Sequence, residues 1–112
     1  MFVYVAGPYT KGDVSRNVHN AIVTGNNLRA LGFTPFIPHL THFWHMILEH
    51  DIDYWYRYDL EWLGKCDALF RIPGESYGAD KEVERAKELG IPVFTSFEEI
   101  GKFARSHQKL AT

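Results

Sequence analysis

Four short apolar runs, at residues 2–6, 33–37, 68–72 and 91–94, alternate with longer stretches whose apolar residues recur at helical spacing. That alternation constrains the fold more than any other feature. A short uninterrupted apolar run suits a strand buried on both faces of a parallel sheet. Parallel neighbours need a crossover long enough to hold a helix. Gly7-Pro8 closes the first run and Pro38 the second. Pro92, near the start of the fourth, is tolerable there or on a sheet edge. Between the first two runs, Val14, Val18, Ala21, Ile22, Gly25 and Leu28 mark a helix. Asp13 is its N-cap, and it continues to Leu31 with Gly32 as its stop. Residues 53–64 and 79–89 read as two further helices. Ser96, with Glu99 three positions on, forms a capping-box pattern for a last helix reaching about Ser106. Residues 39–51 fit neither period, so a loop with a short helix is expected there. The tail from His107 is expected to fray.

The expected architecture is therefore α/β: one Rossmann- or flavodoxin-like domain over residues 1–112, three layers deep, around a small parallel sheet of four to five strands. A chain of 112 residues bounds one domain with a modest core. The net charge of −2 offers nothing to nucleic acid or to an anionic membrane. The apolar start stops at Gly7-Pro8, too soon for a signal peptide or a membrane span. Cys66 is the single cysteine, so no disulfide framework exists and a reducing, cytoplasmic setting is expected. His39, His42, His45 and His50 are irregularly spaced, and no Cys or HExxH pattern accompanies them. Neither a metal site nor a cofactor is expected.

Ligands of doubly wound folds bind beyond the carboxyl ends of the strands, where the strand order reverses. That rule gathers the loops at residues 7–13, from Pro38 onward, and at 73–78. The third is the most informative. Ser76-Tyr77-Gly78 leads into a helix, and a helix N-terminus with a small-residue approach suits an anion. Glu82 lies at the edge of that helix's buried face, and helical side chains lean back toward the N-terminus. The helix dipole is expected to favour its ionised form. An ordinary first-turn glutamate would look the same. Asp59 shares a stripe with Trp55 and Trp62. It is either a carboxyl between aromatic walls, with a raised pKa suited to donating a proton, or a surface acid paired with Arg57 or Lys65. Gly7 lets backbone approach a ligand, and Tyr9 supplies a donor. His39, after the second run, is the histidine placed to touch a ligand.

Three ordered stretches resemble the nucleoside 2-deoxyribosyltransferase superfamily, which includes deoxynucleoside-monophosphate N-glycosidases. They are Val3-Tyr4-Val5-Ala6-Gly7-Pro8-Tyr9, then Asp59-Leu60-Glu61-Trp62-Leu63 with Cys66-Asp67-Ala68, then residues 76–82 with Ala86. The resemblance implies that Glu82 attacks C1′ of the sugar and that Asp59 positions the sugar or protonates the leaving base. It implies that Ser76 and Gly78 hold a phosphate, and that Tyr9 meets the sugar. It also implies a small-molecule nucleoside or nucleotide substrate and a homo-oligomer, dimeric or larger. A nucleotide-binding or sensing module without turnover is the alternative on the same fold.

Overall fold

The computed structural model describes residues 1–111, with side chains described as far as His107. The chain runs β1 (Phe2–Ala6), α1 (Val14–Ala30), β2 (Thr34–Phe36), a 3-10 turn (Pro38–Leu40), α2 (Thr41–Ile47), α3 (Ile52–Leu63), β3 (Ala68–Arg71), α4 (Tyr77–Glu88), β4 (Val93–Phe94) and α5 (Phe97–Ala111). The four strands form one parallel sheet in the order β2-β1-β3-β4. Strand order reverses between β1 and β3, so their loops flank the switch point.

Strand alternation divides the core into two halves. Val3, Val5, Ala68 and Phe70 face α1 and α5, where they meet Leu28, Ile100 and Ala104. Tyr4, Ala6 and Leu69 face α3 and α4, where they meet Leu63, Ala79 and Ala86. Tyr4 therefore puts a phenol into an apolar layer, where its hydroxyl needs a partner.

The caps fall where the sequence places them at two helices. Asp13 accepts the Arg16 amide at the start of α1, and Ser96 accepts the Glu99 amide at the start of α5. Most element limits lie one or two residues from expectation, as at Thr34–Phe36 and Val93–Phe94, and two differences bear on the argument. The fourth helix begins at Tyr77, not Ala79, because Ser76 is its N-cap and accepts the Ala79 amide. Gly78 is thus inside the first turn. The last helix runs to Ala111 rather than to about Ser106; the rest of the tail expected to fray, Thr112, lies outside the described residues. Residues 39–51, which fit neither period, fold into the 3-10 turn, α2 and a loop at 48–51. Aromatic contacts hold this segment against α3, with Trp44 and Trp55 at 5.0 Å and His50 stacked on Tyr54 at 4.5 Å. Trp55 also donates to His45 Nδ1 at 2.8 Å. Among the described residues no helix is long and apolar enough to cross a membrane.

The two loops at the switch point are packed together. A Cβ on Gly7 would lie 2.9 Å from the Ile72 Cβ, and one on Gly74 would lie 2.8 Å from Pro8 Cγ. Gly74 has φ 125°, a region open to glycine and strained for other residues. Lys11 and Glu75 bridge the same loops at 2.7 Å. Gly74→Ala meets both backbone strain and a clash, so a loss of about 1–3 kcal/mol in urea unfolding is expected. An unchanged midpoint would show that the loops are not packed in this way.

Candidate active site

Glu82 and Asp59 come together beneath the carboxyl ends of the strands, on the α3/α4 side of the sheet. Glu82, one turn into α4, is 9% exposed. Tyr4, in the centre of β1 and fully buried, donates its phenolic hydrogen to Glu82 Oε2. Asp59 approaches from α3, near enough for its charge to oppose ionisation of both Glu82 and Tyr4. Its Oδ1 is buried and has no protein partner. The charge of Arg71, at the end of β3, favours the ionised form of Glu82.

Electrostatics corrects one expectation. The start of a helix was expected to keep Glu82 ionised, but burial outweighs it. Desolvation pushes Glu82 up to about 8, with the Asp59 charge adding to the rise and the Tyr4 hydrogen bond and Arg71 opposing it. Burial likewise pushes Asp59 up to about 7. Tyr4 is held well above its ordinary value, first by burial and then by the Glu82 and Asp59 charges. The two carboxyls thus behave as a pair that holds protons into the neutral range. Of the two readings of Asp59, the enclosed carboxyl is the observed one. Arg57 instead donates to the Asp53 carbonyl, and Trp62 stacks on Phe36 with ring centroids 5.1 Å apart.

The other sequence candidates surround this pair unequally. His39 is 4% exposed, and its Nε2 donates to the Pro8 carbonyl at 2.9 Å. Its Nδ1 is then the acceptor of the neutral ring, buried and without a protein partner. Burial lowers the His39 pKa and favours the neutral ring. Tyr9 and His42 share a 2.6 Å hydrogen bond, and Tyr9 packs edge-on against His39. These contacts tie the β1 loop to the β2 loop and α2. Gly7 is buried with Ile72 over its open face, so packing alone accounts for a glycine there. Ser76 spends its lone pair on the Ala79 amide and keeps its hydroxyl hydrogen. By helix geometry the Tyr77 and Gly78 amides have no intrahelical acceptor. Among the described residues, no group of three or more His, Cys, Asp or Glu side chains is arranged to hold a metal.

Two surface concavities lie elsewhere. One of about 50 Å³ is lined by Pro8, Asn17, Asn20, Ile72 and Pro73. The other, of about 360 Å³, lies along the first turns of α1. Neither is lined by a carboxyl of the pair.

Sequence reasoning missed Tyr4 and Arg71. Both left a trace: a phenol within an apolar strand, and a guanidinium at the end of another. Each is a polar group that burial obliges to find partners.

The fold has a solved counterpart. A 2-deoxyribosyltransferase from the psychrotolerant bacterium Bacillus psychrosaccharolyticus superposes with a TM-score of 0.63 at 24% identity, over 83% of this chain and 69% of that one. The likeness is one of fold. No curated protein matches the chain. Residues 1–96 match the family described as a domain of unknown function, DUF7768, and the chain belongs to that family.

Proposed function

We propose that the chain cleaves the N-glycosidic bond of a nucleoside or nucleoside 5′-monophosphate. The observation that carries this reading is the pairing of buried Glu82 with half-buried Asp59, with Tyr4 hydrogen-bonded to Glu82. In the proposed step a Glu82 oxygen attacks C1′. The C1′–N bond breaks with its electron pair going to the base, and Asp59 gives that base a proton. The result is a glycosyl ester on Glu82 and a free base. Water then attacks C1′ and gives a proton to the Asp59 carboxylate while the ester bond breaks back onto Glu82, releasing the sugar; a second base in place of water gives transfer. The step needs charge on Glu82 and the proton on Asp59. Tyr4 and Arg71 favour charge on Glu82, but burial leaves Glu82 at about 8, above Asp59 at about 7. The step therefore also requires the proton to pass from Glu82 to Asp59 when substrate binds.

The first turn of α4 supports a phosphorylated substrate. A Cβ on Gly78 would meet nothing within 4 Å, and Gly78 is not among the glycines with positive φ. Neither packing nor backbone geometry asks for glycine there, whereas close approach of a phosphate to the amides would. Gly78→Ala is therefore expected to raise stability by about 0.5–1 kcal/mol while raising KM for a nucleoside monophosphate. Unaltered KM values would remove the phosphate role from this turn. A nucleotide-binding module without turnover would use this turn and the β1 loop but leave the carboxyl pair idle. Self-association is proposed too, supported by exposed apolar side chains on and after α2: Phe43, Met46, Ile47 and Leu48.

The deciding experiment incubates the protein with each common nucleoside and 5′-monophosphate and follows free base by chromatography. Release of base from at least one of them is expected. Binding without release would favour the module.

A further inference from the structure

Arg71 is nearly enclosed, with its side chain 13% exposed. Its guanidinium spans the loop between β3 and α4. Nη1 donates to the Ile72 carbonyl, and Nη2 donates to the Gly74 carbonyl at 3.0 Å and to Asp80 Oδ1 at 2.9 Å. Those three acceptors fix the loop on both sides of the Gly74 kink and tie it to the first turn of α4. A planar fork can hold several acceptors in one geometry; an ammonium is a point charge and cannot do so in the same way. Through Asp80, two residues before Glu82 on α4, the same guanidinium is held near enough to Glu82 for its charge to favour the ionised carboxyl. The groups around Glu82 are Tyr4 from β1, Asp59 from α3 and Arg71 from β3, while β4 offers only Val93 and Phe94. Two carboxyls and a phenol therefore share their enclosure with one cation.

We infer that Arg71 is a positioning residue with two linked tasks: it straps the loop that delivers Ser76 and Gly78, and it balances the charge of Glu82 within the buried cluster. The second task rests on the glycosidase reading only for its purpose, since the balance itself is measurable without turnover. Asp80 moderates it. Asp80 is 71% exposed at its side chain and shares the guanidinium charge between solvent and interior. Loop geometry and the acidity of Glu82 are thereby coupled through one side chain.

The test is a pH titration of the Glu82 carboxyl by carbon NMR on protein labelled at glutamate, with Glu82→Gln assigning the signal. Arg71→Met is expected to move the Glu82 midpoint upward by about one pH unit. Arg71→Lys should restore most of that charge effect but not the strap. Amide exchange at Ala79 and Asp80, whose amides bond to Ser76, should be at least about tenfold faster in both Arg71 variants. Asp80→Asn is a surface change that keeps the fold if Arg71→Met does not, and it should move the midpoint downward. Midpoints unmoved in every folded variant overturn the charge role, and unaltered exchange overturns the strap. If the midpoints move but the native protein releases no base from any substrate, the glycosidase reading fails and the role of Arg71 stands.

Discussion

Glu82→Gln is expected to lower base release by about a thousandfold or more, with the protein still folded. Glutamine keeps the side-chain volume and offers Tyr4 an acceptor, but it cannot form the glycosyl ester. Alanine is the poorer probe. An alanine replacement would seem harmless for a residue at the edge of a helix. Glu82 is instead buried and holds the Tyr4 hydroxyl, so Glu82→Ala leaves a void and an unpaired phenol, costing about 1–3 kcal/mol for the lost partner alone. Rates and urea midpoints of the two variants separate the effects. Full activity in Glu82→Gln would exclude Glu82 as the nucleophile.

Stability should fall as pH rises through neutrality, opposite to a protein whose acids are paired with bases. In the unfolded chain both carboxyls lose their protons in the ordinary carboxylate range. In the folded chain Asp59 keeps its proton to about 7 and Glu82 to about 8. The folded state binds more protons between those limits, so it loses stability with each step upward in pH. The contribution is complete below the ordinary carboxylate range and gone above about 8. One unit of pKa difference is worth about 1.4 kcal/mol, so the pair contributes several kcal/mol to the swing. Melting temperatures between pH 6.5 and 9 would show it, above the range in which charging of buried His39 opposes it. Asp59→Asn and Glu82→Gln should each flatten the slope. A Tm that holds level or climbs over that range would mean that the carboxyls are not buried together.

The fold was legible because its signals are local. Apolar runs without alternation marked β1 and β3, and Asp13 and Ser96 marked helix starts by the hydroxyl or carboxylate that caps them. Residues 39–51 were not legible, since α2 is held by contacts between Trp44, His45, His50 and Trp55 and not by an amphipathic period. Glu82 and Asp59 could be placed on helical stripes, and the resemblance gave them roles. Their mutual electrostatics could not be read, because it depends on Tyr4 and Arg71 arriving from two different strands. Helix geometry supplied the dipole; only the folded enclosure supplied the desolvation that overrides it.

The sheet also governs how the molecule can meet others of its kind. Both outer strands are short: β2 has three residues and β4 has two. The Thr34 amide points inward to the Met1 carbonyl, so by alternation Pro35 turns outward, where it has no hydrogen to donate. On the far margin the Pro92 carbonyl points inward to Leu69, which leaves Val93 as the outward residue of β4. Neither margin presents a ladder that another strand could extend. Open parallel sheets are at risk of endless edge-to-edge growth, and this one is blunted at both ends. Copies of this chain that assemble are therefore expected to meet through surfaces other than the sheet margins.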